Sequence, residues 1–251
     1  QRNITYPERP KIVTGAERLG DIMDGLRSIW HRVYSDFLMP PRFEMYKNLI
    51  TEILNLGYEI HSVSSFWQIL KAGNLRPDVK YVVLRHDVDT DPATAEAQWQ
   101  IEKSLGVKAS YYFRLSTLNI SLMREMAQAG FEVGYHYEEI ATVAKEKCLK
   151  SRKQIQQNMP YIRQRFKENL SLLRKRTGLP MKIVASHGDF VNRALKTPNS
   201  ELLNRALRQE MEIELEVYDE IFNQYVTSRH IDCAYPKFWR PSTPYEAVSY
   251  T

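Results

Sequence analysis

The hydrophobic positions change period along the chain, and the changes mark out its elements. Tyr46, Leu49, Ile50, Ile53 and Leu54 recur at spacings of three and four, which predicts an amphipathic helix closed by Gly57. A short strand over 57–61 and a helix near 64–71 follow. Tyr81-Val82-Val83-Leu84 is a continuous apolar run, the pattern of a strand covered on both faces, and it leads into Arg85-His86-Asp87-Val88-Asp89. Asp91 then suits an N-cap and Pro92 the first helical position, so a helix is expected through Trp99 and Ile101 to Gly106.

The alternation continues. It predicts strands over 109–115, 131–136 and 181–186, with weaker ones over 212–217 and 230–234. Helices are expected near 119–129, 150–177 and 199–209. Residues 1–40 carry mixed helical patterning and end at Pro40-Pro41, which stops a helix; they read as an N-terminal extension, with one domain over 41–251. Strands alternating with helices imply α/β architecture with a mostly parallel sheet, either doubly wound or a barrel. No Gly-x-Gly-x-x-Gly follows any strand, which removes the main support for a dinucleotide fold.

Three strands are expected to end in polar clusters: Arg85-His86-Asp87-Val88-Asp89, Gly134-Tyr135-His136-Tyr137-Glu138 and Ser186-His187-Gly188-Asp189. Parallel strands place all their C-terminal ends on one edge, so these distant residues meet. Asp87 and Asp89, two apart, project from one strand face, with His86 on the other as a hydrogen-bonded structural residue. Two carboxylates side by side call for a neutralising cation. A divalent metal leaves one carboxylate as ligand and the other as base, and His136 and His187, as neutral imidazoles, complete a three-ligand site with an open position.

In this order, Val82–Asp89, Phe131–Glu138 and Ser186-His187-Gly188 resemble the motifs of the polysaccharide deacetylase superfamily, the NodB-homology or carbohydrate esterase family four group. The similarity spans roughly 43–240. It implies a distorted or partial (β/α) seven-stranded barrel that removes acetyl groups from acetylated sugars. By that resemblance Asp87 is the catalytic base and Asp89 a metal ligand, in an Asp-x-Asp variant of a motif whose two aspartates are usually adjacent. The second motif usually carries two histidines four residues apart; here His136 is present and Ile140 stands in the other place. The third ligand is therefore assigned to His187, with Glu138 as the substitute. The family's late general-acid histidine is not found; His230 or another group takes its part, or the chain ends before it.

Arg114 is a candidate to bind a substrate carboxylate or phosphate, to steady Asp87 through a bidentate pair, or equally to form a structural salt bridge. Trp239 and Arg240, in Phe238-Trp239-Arg240-Pro241, are candidates to stack on a sugar ring and bind its anionic group; Tyr135 and Tyr137 read as core. The expected cofactor is one divalent ion, Zn2+ by ligand type, and the expected substrate an acetylated sugar, sugar nucleotide or glycan.

Composition adds limits. The net charge is +5, with basic residues gathered at 145–153 and 163–176, which reads as solvated helix faces or as attraction to an anionic surface. Nothing resembles a nucleic-acid module. Two cysteines cannot form a disulfide framework, and no run approaches a membrane span or a signal peptide's apolar core, so a cytoplasmic protein is expected. The leading expectation is an N-deacetylase of acetamido sugars in glycan or lipopolysaccharide synthesis. A degenerate barrel that binds glycan without cutting it, and an amidohydrolase of small non-sugar amides, are the alternatives.

Overall fold

The computed structural model describes residues 42–228, together with Trp30. Residues 42–227 form one compact unit. The chain enters through helix α1 (Phe43–Asn55), strand β1 (Tyr58–His61) and helix α2 (Val63–Lys71), then runs into β2 (Lys80–Val83) and β3 (Arg85–Val88). Helix α3 (Pro92–Ser104), β4 (Ser110–Phe113), α4 (Ile120–Gln128), β5 (Glu132–Tyr137), α5 (Glu139–Glu146) and the long α6 (Arg152–Thr177) follow. The described part closes with β6 (Ile183–Ser186), α7 (Phe190–Leu195), α8 (Arg205–Glu210), β7 (Leu215–Glu216) and α9 (Glu220–Asn223).

Every strand pairing among the described residues is parallel. β1 pairs with β2, and a five-stranded sheet has the order β3-β4-β5-β6-β7. Leu84 is the joint between the two sheets. Its N–H donates to the His61 carbonyl on the β1 side at 2.9 Å, while its own carbonyl accepts from Ser110 N on the β4 side at 3.0 Å. One residue thus hands the strand from one neighbour to the next, which accounts for the break in an otherwise continuous apolar run.

Both sheet faces are covered, as the all-apolar strand pattern requires. Tyr111, Phe113, Val133, Tyr135 and Tyr137 pack with Trp99, Met123, Met126 and the inner face of α6. The alternate residues Tyr112, Ile183, Ala185 and Leu215 pack with Phe66 and Trp67 of α2 and Phe222 of α9. On this second face a Cβ at Gly134 would lie 2.5 Å from the Tyr112 ring and 2.8 Å from the Ile183 carbonyl. Glycine is required there because the Tyr112 ring lies across β5.

Most predicted elements sit within a few residues of their expected places. Asp91 caps α3 as the sequence implies, accepting from Ala93 N at 2.9 Å and Thr94 N at 3.2 Å. The single helix expected over 199–209 is instead a 3-10 turn (Asn199–Leu202) and α8, because Asn204 starts a new helix by accepting from Leu207 N. Helices α5 and α7, six to eight residues long, are too short to show a period in sequence. The strand expected over 212–217 shrinks to two residues, and the one over 230–234 lies outside the described residues.

The basic run on α6 is largely spent on its own molecule. Arg165 pairs with Glu146, Lys167 with Glu210 at 2.9 Å, and Arg163 and Arg174 donate to the Leu202 and Met211 carbonyls. Among the described residues no helix is long and apolar enough to cross a membrane.

Candidate metal centre

Four ligand-type atoms converge where β3, β5 and β6 end. His136, on β5, is 2% exposed. Its Nδ1 lies 3.0 Å from the Ala185 carbonyl, an oxygen that only accepts, so Nδ1 carries the proton. In the neutral imidazole, Nε2 then presents a lone pair toward Asp89 Oδ1 at 3.3 Å, Asp87 Oδ2 at 3.7 Å and His187 Nδ1 at 3.2 Å. His187 Nδ1 is also 3.0 Å from Asp89 Oδ1.

These contacts lack protons. Asp89 Oδ1 is buried and receives no hydrogen bond, although two imidazole nitrogens lie beside it. A single proton on His187 Nδ1 serves one neighbour, either the carboxylate or the other imidazole. The remaining lone pairs face one another, an arrangement a cation relieves. Asp89, His136 and His187 therefore fit a divalent metal on donor set and on unmet hydrogen bonding, with two nitrogens and one oxygen, as catalytic zinc sites use.

The surroundings fix these groups. His187 N donates to the Tyr137 carbonyl at 2.8 Å, and its own carbonyl accepts from Asn199 Nδ2 at 2.6 Å. Thr117 Oγ1 holds the Val88 carbonyl at 2.6 Å, and Arg114 Nη1 the Asp89 carbonyl at 3.1 Å. The turn that presents Asp89 is thus tied down on both sides.

Arg114 does not reach Asp87. Its guanidinium forks onto Glu138, the nearest acid at the end of the adjacent strand, at 2.7–2.9 Å. Asp87 is instead gripped by Arg85, whose Nε donates to Oδ1 at 2.8 Å and whose Nη2 donates to Oδ2. Burial raises the Asp87 carboxyl, yet the Arg85 charge, with His136 beside it, holds it below its ordinary value. Arg85 in turn lies between two rings, Tyr112 at 5.9 Å and Tyr218 at 4.7 Å, and donates to the Tyr218 hydroxyl at 2.7 Å. Residues 85 and 87 share one face of β3 by the period of two, so this partner was readable from the sequence.

His86 faces away, as its alternation implies. Its Nε2 lies 2.6 Å from Glu102 Oε1 and 3.2 Å from the Tyr46 hydroxyl, and its ring stacks on Tyr111. A second ligand-type group, Glu138, His187 and Asp189, shares His187. There each carboxylate already has a cation, Arg114 on Glu138 and Lys145 on Asp189. Among the described residues Asp89 has no such cation, which favours the first group as the metal site. Trp239, Arg240 and His230 lie outside the described residues.

No family model and no curated protein matches the chain. Two solved structures resemble it. The structure of IcaB from Ammonifex degensii has 13% sequence identity and a TM-score of 0.50, covering 71% of this chain and 78% of that one. Streptococcus pyogenes deacetylase PplD in complex with acetate has 15% identity and a TM-score of 0.42, covering 69% and 70%. The likeness to IcaB is one of fold.

Proposed function

We propose that this chain is a metal-dependent deacetylase of acetamido sugars, acting in glycan or lipopolysaccharide synthesis, in the cytoplasm, on a distorted or partial seven-stranded barrel. The observation that carries the reading is the cluster of proton-poor ligand atoms on Asp89, His136 and His187, with a restrained carboxylate, Asp87, 3.7 Å from His136 Nε2. The order of the sequence motifs adds the acetyl-sugar class. Asp89, His136 and His187 hold a divalent ion, Zn2+ by ligand type, and such an ion polarises an acetyl carbonyl and acidifies water.

The remaining work falls to side chains. Asp87 accepts the proton of the attacking water through Oδ2, the oxygen nearer the histidines. Arg85 fixes the plane of that carboxylate, so the accepting lone pair does not swing away. Ile140, in the place of the usual second histidine, is buried in the core at 1% exposure. That position supplies packing here, and His187, arriving from β6, supplies the ligand.

The test is metal content together with acetate release from acetylated sugars and sugar nucleotides, for the wild type and for Asp89→Ala and His136→Ala. The reading requires about one metal per chain, lost in both variants along with acetate release. A chelator should lower the melting temperature of the wild type by roughly 5–10 °C and leave His136→Ala unmoved, because only the wild type gains stability from a bound ion. A wild type that holds no metal after reconstitution overturns the reading; metal and amidase activity on non-sugar amides alone would move it to that substrate class.

A further inference from the structure

Cutting an amide takes more than a nucleophile and a base, because an amine anion does not leave; the nitrogen must receive a proton as its bond to carbon opens. Asp87 is placed to take a proton. Tyr218, directly after β7, is placed to give one. Its hydroxyl accepts from Arg85 Nη2 at 2.7 Å, and the same nitrogen donates to Asp87 Oδ2, the carboxylate oxygen that faces His136. One nitrogen thus joins the Tyr218 hydroxyl to the proposed base, and the two oxygens stand at most two hydrogen bonds apart. Among the described residues no acceptor takes the hydroxyl's own proton, and the residue is 46% exposed, so that proton is open to a bound substrate. The other end of Tyr218 is fixed to the strand that supplies His187. Glu216, buried at 1% exposure, accepts from Ser186 N through Oε1 and from Tyr218 N through Oε2, both at 2.8 Å. Ser186 directly precedes His187. The main chain of Tyr218 is therefore tied beside one histidine of the centre, and its hydroxyl is tied beside Asp87.

We infer that Tyr218 is the general acid of the reaction, its hydroxyl giving a proton to the departing amine nitrogen. This rests on the deacetylase reading and adds a catalytic residue to it. Water attacks the acetyl carbonyl: a C–O bond forms, and the water's proton passes to Asp87. The C–N bond then breaks, its electron pair stays on nitrogen, and the Tyr218 proton joins that nitrogen. Acetic acid and a free amine leave. The phenolate left behind is stabilised by the Arg85 guanidinium that already donates to it. It recovers its proton from Asp87 through water, so one water is consumed for each bond cut. Arg85 thereby serves both partners, holding the base in plane and receiving the charge of the spent acid.

The experiment measures kcat/KM in the metal-loaded wild type, in Tyr218→Phe and in Arg85→Met, on two kinds of acetyl donor. The amide is the best substrate among N-acetylglucosamine, its β-linked pentamer and UDP-N-acetylglucosamine, followed by acetate release. The ester is para-nitrophenyl acetate, whose phenolate departs without being protonated. Tyr218→Phe should lower the amide rate roughly a hundred- to ten-thousandfold while the ester rate stays within about threefold of wild type and metal content is unchanged. Arg85→Met, which frees the base, should lower both rates. An equal loss on amide and ester in Tyr218→Phe would reduce Tyr218 to a support for Arg85, and an unchanged amide rate would mean that Asp87 returns the proton itself. Either result overturns the inference and leaves the deacetylase reading standing. A wild type that releases acetate from none of the three amides sinks that reading, and the inference with it.

Discussion

Arg85 and Asp87, two residues apart on β3, form a two-point ion pair in which Nε meets Oδ1 at 2.8 Å and Nη2 meets Oδ2. Asp89 lies in the turn directly after this strand, so the proposed base and the proposed metal ligand are presented by one short segment. The rigidity comes from around it: the guanidinium has Tyr112 on one neighbour strand and Tyr218 after β7. A carboxylate held at both oxygens has little rotational freedom, which is what proton abstraction from a precisely placed water asks of it.

Replacing Arg85 by Met should therefore lower kcat by roughly a hundredfold while metal content stays near one per chain. The pH profile should change as well. Arg85 holds the Asp87 carboxyl below its ordinary value, and a base works when deprotonated. Without the guanidinium Asp87 binds its proton more readily, so the acid limb of kcat/KM should move to higher pH. Steady-state acetate release between pH 4 and 9 checks both. Arg85→Lys keeps a charge but loses the fork, and should recover the position of the limb better than it recovers kcat.

Much of the site was legible because strand ends converge by topology. The motif order named Asp87, Asp89 and His136, the strand-end position added His187 with Glu138 as its substitute, and the parallel sheet brings Asp87, Asp89, His136 and His187 together. The role of Arg85 was within reach of the same period-two reasoning that paired Asp87 with Asp89, but Arg114 drew attention as the basic residue at a strand end. What separates them is Glu138, which competes for Arg114 from the adjacent strand. Tyr218 was out of reach, since nothing local in Val217-Tyr218-Asp219 announces a contact with a residue 133 positions earlier. The joint at Leu84 was also hidden, because a residue that bonds to two different neighbours reads the same as one inside a strand.

Behind the centre, Glu139 is buried between β5 and α6. Its Oε1 accepts from the Tyr135 hydroxyl at 2.5 Å and Asn169 Nδ2 at 3.0 Å, while Oε2 has no partner among the described residues. Burial raises its carboxyl above the ordinary glutamate value, and the two hydrogen bonds offset that only in part. The folded state thus holds this proton more tightly than the unfolded chain does. Its contribution to stability is present at low pH and is lost as pH rises through the folded value. Glu139→Gln keeps an oxygen for both donors and removes the charge, so its stability relative to wild type should increase from pH 5 to pH 8. Urea unfolding at the two pH values measures this, and a constant difference would show that the carboxyl is not perturbed.

Gly134 and Tyr112 make the last prediction, because they link packing to the site. They are register partners on adjacent strands, and the Tyr112 ring occupies the space a Cβ at 134 would need. The ring cannot retreat easily: it is fully buried, and its hydroxyl donates to Glu132 at 2.6 Å. Gly134→Ala should therefore cost about 1–3 kcal/mol by overpacking, measured by chemical denaturation. Any relief by moving the ring shifts the surface on which Arg85 rests, so kcat should fall along with stability. Truncating the ring removes the clash, and Tyr112→Ala combined with Gly134→Ala should be less destabilised than the sum of the two single variants. The rescue should be partial, since the Ile183 carbonyl still lies 2.8 Å from the new methyl. Strict additivity of the two variants would mean that the glycine is required by the backbone of β6 alone.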